Sequence, residues 1–249
     1  VSRSYLQSDA NVKKINSYIT KKVAEKLQSL FSADRKAFED KWKEISTFVK
    51  YGMISEEKFN EKATAFALLK NIDGQYFTLE EYKEKIKDNQ TDKYNKIVHI
   101  YSNDPKAQHA YIESAKAYGY DVLEMDNIID NHFIQHLEYK GNDITFVRVD
   151  SDTTDNLVQK EEKKESVLSD AEQEKVKNIF TSSIKNLGAG KIELKALSPN
   201  DHPVLITKPE FMRRMKDMHM LQGMDMNMFP DSHNVVVNTN HPLIAEKLL

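Results

Sequence analysis

The sequence predicts a mixed α/β (α+β) chain: a helical subdomain, then a small three-layer α/β/α unit, then a separate α+β C-terminal domain. Three observations carry this. Up to about residue 92, apolar side chains recur at three- and four-residue steps, the period of an amphipathic helix. Between Ile97 and Val149, short β-rich runs alternate with helical stretches, which implies parallel strands joined by crossovers. The charge-dense stretch Gln159-Lys-Glu-Glu-Lys-Lys-Glu165 then precedes a second alternation of helix and strand. The boundaries read from these shifts are 1–92, 93–152, a linker over 153–170, and 171–249.

Each element has a local reason. Residues 9–31 place Val12, Ile15, Ile19, Val23, Leu27, Leu30 and Phe31 on one stripe of a helix. A second helix from about Asp34 buries Phe38, Trp42, Ile45 and Val49, with Gly52 as a natural stop. A third carries Phe59, Ala63, Phe66 and Leu69, with a loop at Asn71-Ile-Asp-Gly74. Thr78-Leu-Glu-Glu81 is a capping box that opens a short helix with Tyr82 and Ile86. Ile97–Tyr101, Asp121–Met125 and Ile144–Val149 read as strands, with helices from Pro105 to about Tyr118 and from Asn127 to Tyr139. Such units often bind nucleotides, but the first strand–helix turn, Ser102-Asn-Asp-Pro105, has no glycine and puts Asp104 where a phosphate needs donors, which argues against a dinucleotide site. In the last region a helix places Val176, Phe180 and Ile184 inward. Lys191–Leu197 and Val204–Thr207 read as a hairpin, followed by a strand at Val235–Val237 and a helix from Pro242.

Composition narrows the function classes. Lysine and arginine (36) nearly balance aspartate and glutamate (39), so a net charge of −3 gives no argument for a nucleic-acid or membrane partner. The absence of cysteine removes disulfides, thiolate zinc sites and cysteine nucleophiles. No apolar run reaches membrane-spanning length, and the opening residues lack a signal-peptide pattern, so a cytoplasmic location is expected. Val1 at the start and the apolar Leu243–Leu249 at the end read as cuts from something longer.

One stretch stands out. Seven of the nine methionines lie between Met212 and Met228. As a helix it puts Phe211, Met215 and Met218 on one face, with Arg213, Arg214, Lys216 and Asp217 over much of the rest. Met224, Met226 and Met228 then alternate with polar residues. Flexible, polarizable thioethers specify a rigid core poorly and accommodate unlike apolar partners well. Three readings follow: a core or interface helix, a docking surface for polypeptides, and, with His219, a soft Cu(I) site. Elsewhere, His132 and His136 have metal-ligand spacing without the glutamate of a zinc-protease helix, and His202, His219, His233 and His241 follow no ligand rhythm. The residues by themselves compose no complete active site.

The opening Val1-Ser-Arg-Ser-Tyr-Leu-Gln7, followed by Asn11-Val-Lys-Lys-Ile15 and a lysine-rich helix, resembles the middle domain of the heat shock protein 90 chaperones. The likeness continues through Phe38-Glu-Asp-Lys-Trp42, Thr78-Leu-Glu-Glu-Tyr82, Ile97-Val-His-Ile-Tyr101, Tyr120-Asp-Val-Leu-Glu-Met-Asp126, His202-Pro-Val-Leu-Ile206 and the methionine stretch. Ser4 stands where the family usually has glutamate, so a local salt bridge that the resemblance would imply is not expected here. The resemblance implies a fragment of an ATP-dependent chaperone that works on non-native client proteins. It implies that Arg3 and the neighbouring Gln7 belong to a catalytic loop that acts on ATP, with Mg²⁺, held by the protein's own N-terminal ATPase domain; the fragment alone binds no cofactor and is inactive. It further implies a homodimer whose last dimerisation helices lie outside this chain. Client contact is expected at Phe211, Met212, Met215, Met218, Met220, Leu221 and Met224. The competing reading is a non-enzymatic protein-interaction module with no nucleotide coupling.

Overall fold

The computed structural model describes residues 10–160, 164–184, 187, 190–221 and 232–249, with the backbone alone for 217–221. These residues form two compact units, one drawn from Val1–Lys85 and Met125–Asn142, the other from Ile86–Glu124 and Asp143–Leu249.

The first unit is mainly helical. Helices α1 (Ala10–Ala33), α2 (Arg35–Ser55) and α3 (Glu57–Ala63) are followed by a two-stranded antiparallel hairpin, β1 (Leu68–Lys70) with β2 (Tyr76–Thr78), and by α4 (Leu79–Ile86). The Asp34 side chain accepts from the Ala37 N–H and so caps α2. The expected capping box is present: the Thr78 N–H donates to Glu81 at 2.8 Å and the Glu81 N–H to the Thr78 hydroxyl at 3.3 Å. Phe38, Trp42, Phe59 and Phe66 are buried in contact, with Phe66 edge-on to both Phe38 and Phe59.

Three details of this unit differ from the sequence reading. Gly52 does not end α2. The helix runs on to Ser55, and a Cβ at Gly52 would meet the Phe59 ring at 2.9 Å, so the glycine serves a close approach of α3. The apolar run through Phe66 and Leu69 is not one helical stripe, because α3 stops at Ala63 and Leu68–Lys70 pairs as β1. On α1, Ile15, Ile19 and Val23 stay exposed, and only Ala24 is fully buried.

The helix α6 (Asp130–Lys140) also belongs to this unit. The Lys50 ammonium of α2 donates to Asp130 at 2.5 Å, with both side chains buried, and lies 5.5 Å from the centre of the Phe133 ring. The second Asp130 oxygen accepts from the Asn127 N–H, so the carboxylate is shared between an ion pair and the start of α6.

The second unit holds two three-stranded sheets. In one, β3 (Ile97–Ser102), buried along its whole length, lies between β4 (Val122–Glu124) and β5 (Ile144–Arg148), all parallel. Helix α5 (His109–Ala117) joins β3 to β4, and the buried Gln90 side chain bonds both the Val98 carbonyl and the Asp121 N–H. The start of the stretch expected to be a solvated linker is packed: after Asp150 the short helix α7 (Thr154–Leu157) buries Leu157, and Val158 is buried beside it. Arg148 is buried too, because its guanidinium is forked onto Asp150 at 2.5 and 3.0 Å.

The other sheet carries β6 (Ile192–Lys195), β7 (Val204–Thr207) and β8 (Asn234–Asn238). It corrects the expected hairpin. The strand β8 lies between β6 and β7, parallel to the first and antiparallel to the second. Its three consecutive valines explain the central position, since an edge strand would leave one face or rim of them wet. Helix α8 (Asp170–Ser183), capped by Ser169 and Glu172, packs Val176 against Leu168, Val235, Val237 and Ile244. The helix α9 (Glu210–Leu221) precedes β8, and α10 (Pro242–Ala245) follows it.

Candidate functional site

Helix α9 contains the methionine-rich stretch, and its first turns are set down in an unexpected rotation. Glu210, Arg213 and Arg214 share one side of a helix at three- and four-residue spacing, while Phe211, Met212 and Met215 lie on another. An ordinary surface helix buries the apolar side. Here Arg213 is only 8 % exposed, whereas Phe211 is 71 % and Met212 37 % exposed. Met215 is half-buried.

The inward side is held by a connected set of polar bonds. Glu210 accepts from Arg213 at 2.5 Å and from Arg214 at 2.7 Å, and its other oxygen accepts from the Arg148 backbone N–H at 3.3 Å. Arg213 also donates to the Tyr101 hydroxyl of β3 at 2.6 Å, with its guanidinium 5.8 Å from the ring centre. Arg214 reaches the Phe146 carbonyl of β5 at 2.7 Å. Burial works to raise the Glu210 carboxyl, but the two guanidiniums outweigh it and hold the group below the usual carboxylate range. Burial, reinforced by the Glu210 charge, pushes the Tyr101 phenol well above its ordinary value, so it remains a neutral hydroxyl.

Other expected positions are distributed differently. Arg3, Gln7 and Met224 lie outside the described residues, and for Met218, Met220 and Leu221 only the helical backbone is described. The side chain of His219, the potential soft-metal ligand, also lies outside. Among the described residues no group of three or more His, Asp or Glu side chains is arranged to hold a metal. His136 has a structural partner instead: its Nε2 is 2.9 Å from the Asn60 side-chain oxygen, and burial, helped by Lys140, lowers its pKa.

The turn after β3 does not fit a phosphate. Its Asn103 N–H donates to Gln108 at 3.3 Å and its Ala107 N–H to Asp104 at 3.0 Å, so donors that a phosphate would need already serve side chains. The residues that sequence reasoning missed are Glu210 and Tyr101. The spacing of Glu210 with Arg213 and Arg214 was a visible helix-pair signal; nothing local pointed to a tyrosine more than a hundred residues earlier.

No helix among the described residues is long and apolar enough to cross a membrane. The profile of the Hsp90 protein family matches residues 1–248. The chain is 47 % identical over 252 residues to the chaperone protein htpG of Bacteroides fragilis, covering 100 % of this chain and 37 % of that protein. It is 44 % identical to HtpG of Porphyromonas gingivalis over the same shares, and 27 % identical to HtpG of Bacillus subtilis across 97 % of this chain and 38 % of that one. Among solved structures, the middle domain of a Plasmodium falciparum heat shock protein aligns with a TM-score of 0.46 at 18 % identity, over 58 % of this chain and 61 % of that domain. The chain spans well under half the length of these curated relatives. With the family profile matched from end to end and close relatives aligned along the whole chain, the protein belongs to the Hsp90 family of chaperones.

Proposed function

We propose that this chain is the client-handling part of a longer ATP-driven chaperone, and that α9 with the residues after it contacts non-native polypeptides. The supporting observation is the rotation of α9: Phe211 and Met212 project outward while Arg213 is buried. An exposed aromatic and methionine side by side are what an unfolded chain, rich in varied apolar groups, can use. Fully burying one such side chain is worth roughly 1.5–3 kcal/mol, so several together exceed the ordering costs of weak, broad binding. The client-contact set is Phe211, Met212, Met215, Met218, Met220, Leu221 and Met224. Changing Met215, Met218 and Met224 together to glutamine is expected to weaken suppression of aggregation of a heat-denatured enzyme while leaving the circular-dichroism spectrum intact. Unchanged suppression, or a collapsed spectrum, returns the segment to a core role.

The reading extends to the longer protein. ATP and Mg²⁺ are assigned to its N-terminal ATPase domain, with Arg3 stabilising the transferring phosphoryl group and Gln7 orienting it. A permanently charged, forked guanidinium suits that role. The protein acts as a homodimer in the cytoplasm, with no nucleic-acid or membrane partner. In the longer protein, Arg3→Ala is expected to cut ATP turnover, by up to about 10³–10⁵ for an arginine of this kind, with nucleotide affinity nearly unchanged. Steady-state ATPase assays with parallel nucleotide titration check this, and wild-type turnover in the variant removes the assignment.

A further inference from the structure

In the first turn of α9 the burial is the reverse of the ordinary amphipathic one, with Arg213 buried and Phe211 and Met212 exposed. Its inward side is Glu210, Arg213 and Arg214, so the first turns are attached by directional polar bonds where most helices use apolar contact. Buried guanidiniums are tolerated only where fixed acceptors meet them. Those acceptors come from two neighbouring strands: the Tyr101 hydroxyl on β3 and the Phe146 carbonyl on β5. Two anchor points on adjacent strands fix the direction of the helix axis, and the fork of each arginine fixes its roll. A rotation by a single residue would break the bonds to Tyr101, to Phe146 and to the Arg148 N–H together.

We infer that Glu210, Arg213 and Tyr101 form a positioning clamp, whose task is to hold α9 with Phe211 and Met212 turned outward for an extended apolar polypeptide. This rests on the docking reading above. Glu210 is the centre of the clamp because one carboxylate organises both arginines and reaches the β5 backbone. Tyr101 is the contact on β3, and its bond to Arg213 joins the clamp to the buried centre of the parallel sheet. None of the three touches the client; they set the orientation of the residues that do.

The test uses the 249-residue chain and two readouts. Hydrogen exchange of the amides of 211–221 reports the clamp. Fluorescence anisotropy with a reduced, carboxymethylated, permanently unfolded protein reports capture. Glu210→Gln is expected to accelerate exchange in α9 roughly tenfold or more, the scale set by losing charge-assisted bonds, with β3 and β8 unchanged, and to weaken capture several-fold. Tyr101→Phe keeps the ring, loses only a neutral hydroxyl and leaves every residue of the helix and its end charge in place, so a smaller acceleration there isolates the clamp from simple helix capping. Unaccelerated exchange in α9 in both variants overturns the clamp whatever happens to capture. Accelerated exchange with undiminished capture overturns its positioning role. Phe211→Ser, made with the clamp intact, addresses the docking reading separately: capture unchanged in that variant removes docking at α9, while the exchange data still decide whether the clamp exists.

Discussion

Lys50 with Asp130 in the helical unit, and half-buried Glu210 with buried Arg213 and Tyr101 in the other, are both ion-paired polar clusters, but they stand in opposite relations to the apolar groups around them. Lys50 and Asp130 sit where apolar packing already joins the elements: Val49 and Met53 of α2 and Phe133, Ile134 and Leu137 of α6 are all buried. Around Glu210, Phe211 and Met212 face outward, and in this first turn the polar bonds themselves make the attachment. Buried ion pairs gain little net stability over well-packed apolar substitutes, because desolvation offsets most of the attraction. Such a pair is replaceable where packing surrounds it and irreplaceable where it is the contact.

The sharpest way to break the comparison is Asp130→Ala, which strands a buried ammonium and is expected to cost about 3–5 kcal/mol in urea unfolding. The double change Lys50→Met with Asp130→Leu should recover most of that loss. The matching double change at the other site, Glu210→Leu with Arg213→Met, should leave α9 exchanging as fast as Glu210→Gln does. Recovery of slow exchange in that double variant would show that the helix needs only apolar filling there. An exposed charge provides the scale below both. Glu81 takes a two-pronged bond from Arg35 at 2.6 and 2.7 Å and completes the capping box of α4, yet it is largely solvated. Glu81→Ala should cost only about 1 kcal/mol, mostly as lost capping, measured by the same unfolding curves.

The smallest expected effect concerns His136. Its folded pKa lies below the ordinary value of 6.5, so folding favours the neutral ring. Its contribution is present in full above the unfolded value and is lost as pH falls through the lower folded one. Replacing it with glutamine, which cannot protonate but can still bond Asn60, should flatten the slope of stability against pH just below 6.5. An unchanged slope would assign the acid sensitivity to other groups.

Local rules were legible in the chain. The period of apolar residues located α1 and α2, Asp34 and the Thr78–Glu81 box marked helix starts, and unbroken β-rich runs marked β3 and β5, because caps, periods and turns are decided by residues a few positions apart. The ordered series of motifs from Phe38-Glu-Asp-Lys-Trp42 onward placed the chain in its family. Partners far apart were not legible. Lys50 meets Asp130 across 80 positions and Arg213 meets Tyr101 across 112, and neither pairing leaves a local pattern. The insertion of β8 between β6 and β7 was likewise beyond the hairpin rule, which sees two neighbouring runs and not the three valines that need both their sides covered. The roll of α9 belongs with these. Amphipathicity states that a helix has two faces, and only the acceptors waiting on β3 and β5 decide which face turns inward.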